Sequence, residues 1–495
     1  MSNKRKIAKD TLFFSGSSLF SQTIAFGLAI YIRNVLGVEA MGLWAFLQVI
    51  LSYLSYTNLG VMSAVCREVP VLRGRGESEE RIQGLKDAGY TYLSVIAFVT
   101  SGGVAIAALI LRSRVTEFIF YGLLTISLIT LMERNVGYLV QVLYTEKKFQ
   151  LVSRFRAYSS LVNAALVLVL CWNFYLYGFF AATLLSFVFD WLYLKWKSNL
   201  VFHWRWNSER IKELVKFGVP MSTLVFVVAF FNSIDKVVIG KHLGLADLGI
   251  YTIALLAGRY LFLLPNMFQV VLLPETLEKF GDEANEVGRK NYSTFPTRLM
   301  IVYFSLGIPL MWIGARYGCE LLLPKYVDGV PALKALVFGY AFMALSQQIG
   351  HLLLGYKRHL WMLPVALVFS VAVWGLSVFS FSRGGGAFHA AVWMSLFQLF
   401  YYLISSWFAL SKIYDAGRLI RHLLINLIPF AYLLAVLLIF DRWWPADDLL
   451  AILGKSALYL LLWLGLFWAL EKEMGIFKLL KETWSARSKR PAVAS

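Results

Sequence analysis

Two arginines stand inside long apolar stretches of the sequence, where a charged side chain is costly and usually has a task. Arg134 lies midway along one stretch, and Arg259 lies midway along another. An arginine near the centre of a bilayer costs about 2.5–3.5 kcal/mol even on the lenient insertion scale, so it usually faces water or a partner. Its planar guanidinium suits phosphate oxygens. The pair therefore indicates a membrane protein whose ligand is anionic rather than cationic.

Each candidate cation has a structural alternative. Arg134 follows Glu133, so forming a structural ion pair with this acid and facing a cavity are equally open. Arg259 has no adjacent acid, which favours its exposure to a cavity. Arg33 and Lys236 stand near the ends of apolar stretches, where binding a ligand and anchoring in the headgroup region are equally open. The four candidate ligand-binding cations are Arg33, Arg134, Lys236 and Arg259.

Polar side chains accompany these cations at helical spacing. Arg134, Tyr138 and Gln141 are four and seven residues apart, which places them on one face of a helix. Ordinary packing between helices would use the same residue types. The predicted polar wall of a cavity consists of Gln22, Tyr138, Gln141, Asn266 and Gln269.

A second set of residues could bind a proton or Na⁺. The candidates for coupling are Glu133, Asp190, Asp235 and His351. A lone histidine in a helix is more often a packing residue than a switch, so coupling stays open. The three cysteines are far apart, and no spacing typical of a metal site or a catalytic triad occurs. We therefore expect no cofactor, no metal and no enzymatic activity.

The elements that must position these residues are membrane-spanning helices. The chain has 495 residues, of which 59% are hydrophobic and only 15% charged, and this composition excludes a soluble globular protein. About twenty apolar residues are long enough to cross a bilayer as a helix. Fourteen such stretches occur: 11–32, 41–65, 89–111, 118–143, 157–173, 178–194, 217–239, 248–271, 297–315, 332–354, 360–380, 387–410, 423–440 and 449–470.

The basic residues are distributed unevenly between the loops. The N-terminal segment, every second loop and the C-terminal tail hold most of the 47 lysines and arginines. Positive loops stay on the cytoplasmic side, so both termini are predicted to be cytoplasmic. The net charge of +18 does not indicate nucleic acid as a partner, because no recognition motif accompanies it.

One short segment of the sequence is repeated. Residues 36–44 (LGVEAMGLW) reappear as residues 243–251 (LGLADLGIY), at a constant offset of 207. The copies precede the second and the eighth apolar stretch. Six spans per unit would give both copies the same orientation, which is typical of two parallel halves around an axis along the membrane normal.

These segments carry a resemblance to a known family. Arg33-Asn34-Val35-Leu36-Gly37 with Gly42-Leu43-Trp44, and Asp235–Gly240 with Gly249-Ile250-Tyr251 and Leu272-Leu273-Pro274, resemble polysaccharide transporters. These belong to the multidrug/oligosaccharidyl-lipid/polysaccharide flippase superfamily, which includes O-antigen and lipid II flippases.

The resemblance implies an all-α membrane protein with two six-helix lobes, related by pseudo-twofold symmetry, around a central cavity. We expect an N-lobe at 1–200, a C-lobe at 201–415, two extra helices at 416–472 and a basic tail at 473–495. The implied function is movement of a polyprenyl-pyrophosphate-linked oligosaccharide across the cell membrane by alternating access. Implied partners are that substrate, membrane lipids and a polysaccharide polymerase.

Two other functions stay open from the sequence. A drug/cation antiporter of the same superfamily would use unpaired acids inside the membrane, for which Glu133 beside Arg134 is a poor candidate. A membrane glycosyltransferase or ligase acting on lipid-linked sugar usually needs a large loop domain, and the loops here are short.

Overall fold

The computed structural model describes residues 2–266, 286–356, 358–411 and 413–474, and within them the regular structure is helical. The chain is thus an all-α membrane protein, as predicted. Its helices are α1 Ser2–Ser55, α2 Val61–Gly74, α3 Glu79–Leu111, α4 Glu117–Thr145, α5 Phe149–Ser198, α6 Ser208–Phe231, α7 Ile234–His242, α8 Leu245–Leu261, α9 Glu286–Leu322, α10 Val330–Gly355, α11 Met362–Ser382, α12 Ala387–Leu410, α13 Ala416–Trp443 and α14 Leu449–Met474. Short 3₁₀ segments lie at Tyr56–Asn58, Pro324–Gly329 and His359–Trp361.

Eleven candidate spans within the described residues are long and apolar enough to cross a membrane. Two of them contain 43 and 50 residues, more than one crossing of about 20 residues requires. Each is bent at one non-helical residue, Gly37 in α1 and Tyr175 in α5. These bends fall between the first and second and between the fifth and sixth predicted spans. The exact number of fourteen and the side of the termini stay predictions.

The chain divides into two units. The first contains Met1–Gly240 with Gly244–Gly249, and the second contains Lys241–Leu243 with Ile250–Ser495. Helix α6 belongs to the first unit, where it packs against α2 and α3. The predicted lobe boundary after residue 200 stays a prediction.

The two copies of the repeat contact each other reciprocally through residues of the first unit. A side chain on Gly42 would overlap the carbonyl of Leu245, and one on Gly249 would overlap the carbonyl of Val38. Gly42 corresponds to Gly249 in the repeat, and Val38 corresponds to Leu245. Without a driving force from water, helices in lipid associate through such close backbone packing. The repeat is therefore a pair of matching helix contacts.

The second residue of each copy of the repeat is a glycine, and these two glycines share a backbone conformation. Gly37 has φ 74° and Gly244 has φ 101°, a region that residues with side chains rarely adopt. Each precedes one of the close-packed glycines by five residues. The sequence match thus preserves a bend as well as a contact.

Candidate functional site

The second predicted span, 41–65, is interrupted near its middle. Helix α1 ends at Ser55, the 3₁₀ segment Tyr56–Asn58 follows, and Leu59 and Gly60 have positive φ before α2 begins at Val61. The last carbonyls of a helix have no partner within it, and inside a membrane such groups must be satisfied by other protein groups. The break therefore needs donors from neighbouring helices.

Arg134, on α4, supplies a donor to this break. Its Nη2 atom donates to the carbonyl oxygen of Leu54 and to the Oγ1 atom of Thr57, at 2.7 Å from the latter. The residue is only 6% exposed. Its Nε and Nη1 atoms are buried and have no hydrogen-bond partner within the described parts of the chain. Arg134 thus stabilises the break and keeps unused donors in an apolar environment.

A second break interrupts the seventh predicted span, 217–239. Helix α6 ends at Phe231, and α7 begins at Ile234. The Lys236 Nζ atom donates to the carbonyl of Asn232 at 3.0 Å and lies 4.0 Å from the Oδ1 atom of Asp235. A cation is favourable at the C-terminal end of a helix. At each break, a basic side chain therefore donates to a backbone carbonyl near the end of a helix.

The second break contacts α1 close to the first break, and the first break contacts α6. The hydroxyl groups of Tyr53 and Ser233 are 2.6 Å apart, which joins α1 to the second break. Gly60 packs against Gly218 of α6 so closely that neither position has room for a side chain. We call the residues Tyr53, Thr57, Arg134, Ser233, Asp235 and Lys236 the broken-helix site.

Aromatic rings border the broken-helix site. The Tyr53 and Tyr56 rings contact Phe226 edge-on, with centroids 6.0 Å and 5.5 Å from it. Phe230 lies 5.9 Å from Tyr53. Guanidinium and ammonium donors next to hydroxyl groups and aromatic rings form a set that can bind phosphate and sugar groups. Interrupted helices in membrane transporters often provide such ligand sites.

The predicted partners of Arg134 take different roles. Glu133 interacts with Arg134 electrostatically, but among the described residues the two form no hydrogen bond or ion pair. Tyr138 is buried in a core cluster and donates to the Lys86 carbonyl at 2.6 Å. Gln141 accepts from the Cys66 Sγ atom at 3.6 Å and lines a pocket of about 520 Å³. The shared helix face of Arg134, Tyr138 and Gln141 is therefore not one continuous polar wall.

The other predicted cations lie in contrasting surroundings. Arg33 is buried, and its Nη1 atom donates to the carbonyl of Ala29 on its own helix at 3.0 Å. Arg259, on α8, is exposed and forms no ion pair with any residue that the structure describes. Asn266 is also exposed, and Gln22 is half-buried. Gln269 lies outside the described residues.

The remaining coupling candidates are separate from one another. Asp190 accepts a hydrogen bond from Ser159, while its Oδ1 atom is buried and without a partner among the described residues. The Nε2 atom of His351, on α10, is likewise buried and has no hydrogen-bond partner among the described residues. Asp235 is only 2% exposed and belongs to the broken-helix site.

Sequence reasoning missed Tyr53, Thr57 and Ser233. Two signals could have found them: the polar run Thr57-Asn58 before Leu59-Gly60 in the second span, and Asn232-Ser233 in the seventh. Asparagine, serine and glycine inside an apolar stretch are typical of an interruption rather than of a continuous helix.

Comparison with solved structures identifies the class of fold. The lipid II flippase MurJ in an inward closed conformation superposes with a TM-score of 0.67 and 15% identity, covering 92% of this chain and 99% of that one. An inward-facing multidrug resistance MATE family transporter gives 0.63 and 14%, covering 81% and 96%. A transporter from Pyrococcus furiosus, described as having a binding pocket of reversed polarity, gives 0.56 and 14%, covering 82% and 95%. The chain thus shares the fold of these transporters, as the sequence predicted.

The family follows from the sequence itself. Residues 33–315 match the family model described as polysaccharide biosynthesis protein, which is more than half of the chain. The chain belongs to this family of multi-pass membrane proteins. None of the curated proteins compared with it matches.

Proposed function

We propose that this protein is a flippase that moves a polyprenyl-pyrophosphate-linked oligosaccharide from the cytoplasmic to the outer leaflet of the cell membrane by alternating access. Membership of the polysaccharide biosynthesis family supports the sugar part of this substrate. The fold shared with a lipid II flippase and with multidrug transporters supports transport. The basic side chains inside the spans support an anionic headgroup.

One observation carries the proposal: Arg134 has unused donors in a buried position. Its Nε and Nη1 atoms have no hydrogen-bond partner in the described parts of the chain, and each buried unsatisfied polar group costs about 1–3 kcal/mol. A chain selected only for stability would gain by replacing this residue. A pyrophosphate has several oxygens that could accept from these two donors, and a planar guanidinium suits phosphate oxygens.

The other proposed contacts extend this chemistry. Lys236 provides a second cation at the broken-helix site, and Arg259 is exposed and so reachable by a ligand. Arg33, with Gln22, Gln141, Asn266 and Gln269 as polar residues, completes the set proposed to serve the headgroup and its sugars. The prenyl chain would remain in lipid. Glu133, Asp190, Asp235 and His351 stay candidates for coupling to a proton or Na⁺, and a polysaccharide polymerase is a proposed partner.

Reconstitution tests the proposal directly. Vesicles containing the full-length protein and a fluorescent polyprenyl-pyrophosphate oligosaccharide should expose the sugar to the opposite leaflet. Arg134→Gln should slow this at least about tenfold, equivalent to about 1.4 kcal/mol of lost stabilisation. Arg114→Gln changes an exposed arginine in the loop between α3 and α4, and it should leave the rate unchanged.

Three results would overturn the assignment. Equal rates for the wild type and for folded Arg134→Gln would remove its chemical basis. Movement of organic cations without movement of the lipid-linked sugar would instead make the protein a drug antiporter. Transfer of radiolabelled sugar to an acceptor would make it an enzyme.

A further inference from the structure

The second unit contains a large groove that the proposed transport does not use. It has a volume of about 1060 Å³ and lies between α12 and α13, with α10 and the end of α9 behind it. This volume is slightly above the range of about 300–1,000 Å³ that is typical of ligand pockets. The groove is therefore large enough for a lipid-sized molecule.

Inside, the groove is apolar. Phe338, Phe342 and Phe430 form a buried floor. Leu396 of α12 and Leu438 of α13 also line it and are exposed. Exposed leucines in two candidate spans face hydrocarbon rather than water, so the groove opens to the lipid phase. Acyl chains would fill it at little cost, because both surfaces are apolar.

One end of the groove is lined by charges of both signs. The Lys334 Nζ atom lies 2.7 Å from the Oδ2 atom of Asp441, which also accepts from the Trp312 indole at 3.1 Å. Arg316 is exposed and lies 2.9 Å from Glu320 and 3.8 Å from Asp447. Asp328 is exposed and forms no ion pair with any residue that the structure describes.

This end of the groove is at the predicted membrane surface. It lies where α9 ends and α10 begins, and where α13 ends. The charge pattern of the loops predicts that these helix ends face the outer side. A lipid in the groove would thus place its headgroup among these charges and its chains between α12 and α13.

We propose that the groove is a binding site for one outer-leaflet phospholipid with a phosphoethanolamine headgroup. Arg316 and Lys334 suit its phosphate, and Asp328 suits its ammonium. Lys334 pairs with Asp441 and Lys455 pairs with Asp447, so it is the carboxylate of Asp328 that disfavours a lipid with net negative charge. A primary ammonium donates hydrogen bonds to a carboxylate, whereas the quaternary ammonium of a phosphocholine lipid has no N–H to donate.

This lipid is a resident ligand rather than the transported substrate. The site therefore does not depend on the flippase proposal, and each can fail without the other. A bound lipid that recognises the native conformation stabilises it by mass action. Binding can accordingly be measured as retention and as a shift in melting temperature.

The test uses purified full-length protein that has been stripped of lipid and supplied with dioleoyl lipids of three kinds. Native mass spectrometry should show one phosphatidylethanolamine retained per chain, in preference to phosphatidylcholine and phosphatidylglycerol. Leu396→Trp fills the groove and should weaken retention at least about tenfold. Ile428→Trp adds similar bulk to an exposed position of α13 outside the groove and should retain the lipid.

A second variant separates headgroup recognition from folding. Asp328→Asn leaves the apolar groove intact, so it should keep lipid binding but abolish the preference for phosphatidylethanolamine over phosphatidylcholine. Equal retention of all three lipids by the wild type would overturn the proposal. So would retention that Leu396→Trp leaves unchanged, or displacement of the lipid by polyprenyl phosphate, which would assign the groove to the transported lipid.

Discussion

Gly42 packs directly against the backbone carbonyl of Leu245, at a distance that leaves no room for even a methyl group. Gly249 makes the equivalent contact with the carbonyl of Val38. These contacts hold two short helical segments backbone to backbone, although most of the first unit lies between them in the sequence.

We expect Gly42→Ala and Gly249→Ala to destabilise the protein by similar amounts, about 1–3 kcal/mol each, because the added methyl must push a helix backbone aside. The double variant should cost less than the sum, since the first displacement relieves the second. Thermal unfolding in detergent measures this. The control is Gly27→Ala, also on α1, where an added methyl meets nothing within 4 Å. Equal melting temperatures for Gly42→Ala and Gly27→Ala would refute the packing argument.

The helix break at Gly60 can be separated from simple backbone strain. Gly60 has φ 73° and Gly76 has φ 72°, but only Gly60 packs against another backbone, that of Gly218. At either position, the left-handed conformation costs alanine about 1–2 kcal/mol. Gly60→Ala should cost a further 1–3 kcal/mol or so for the overlap with Gly218. Matching losses in melting temperature would mean that α6 does not pack tightly at the break.

Thr57 should matter more than its size suggests, because its hydroxyl accepts a hydrogen bond from buried Arg134. Thr57→Val removes that acceptor and leaves one more unsatisfied donor, at a cost of about 1–3 kcal/mol. Thr23 provides the comparison: its hydroxyl donates to the Leu19 carbonyl on an exposed part of α1. Thr23→Val should be close to neutral in the same unfolding assay. The interpretation fails if the two valine variants unfold at the same temperature.

Arg259 should separate transport from stability. It is exposed, so Arg259→Gln should change the free energy of unfolding by less than about 0.5 kcal/mol. If it contacts the pyrophosphate during transport, the rate in vesicles should fall about tenfold. Arg114→Gln again serves as the control for a lost positive charge. A variant that melts early, or that transports normally, would exclude Arg259 from the ligand-binding set.

Acid should weaken one ion-pair cluster that lies just after α4. Burial raises the pKa of the Glu146 carboxyl, but hydrogen bonds and charge from Lys86 and Arg73 outweigh burial and hold this pKa below its ordinary value. A lowered folded-state pKa contributes stability above the unfolded value of about 4.3, and this contribution is lost as the pH falls through the folded value. Glu146→Gln should therefore melt below the wild type at pH 7, and the difference should shrink below about pH 4.

The size of the Glu146 effect follows from its partner. Lys86 is only 5% exposed, so the variant leaves a buried ammonium without its carboxylate, at about 1–3 kcal/mol. Glu77→Gln removes an exposed partner of Arg81, which is worth less than about 0.5 kcal/mol. A difference at pH 7 no larger than that of Glu77→Gln, or one that persists in acid, would contradict this account.

Hydropathy predicted the class of fold but not the interruptions within it. The stretch 41–65 is apolar on average, and an average does not show that Gly60 adopts a positive φ or that the Leu54 carbonyl accepts from a side chain of another helix. Both depend on the neighbouring helices. Arg134 was identified because charge inside a span is rare, whereas its contact with Thr57 depends on tertiary packing between α4 and the break.

Helical periodicity had a similar limit. It places Arg134, Tyr138 and Gln141 on one face, as the spacing requires. It does not say what covers that face. Phe202, from the segment between α5 and α6, packs 5.4 Å from the Tyr138 ring and encloses it in the core. A connection distant in sequence therefore decides which polar residues of α4 are accessible.

The reciprocal glycine contacts also bear on ancestry. In a homodimer of half-length chains, a single glycine codon would have provided both contacts, since each subunit would offer its glycine to the carbonyl of the other. Joining two such halves by gene duplication turns that one requirement into two independent ones, at residues 42 and 249. A mutation at either glycine would damage one contact, and the other glycine could not restore it. At this helix contact, a fused gene would therefore have two sensitive codons where an ancestral half-length gene had one.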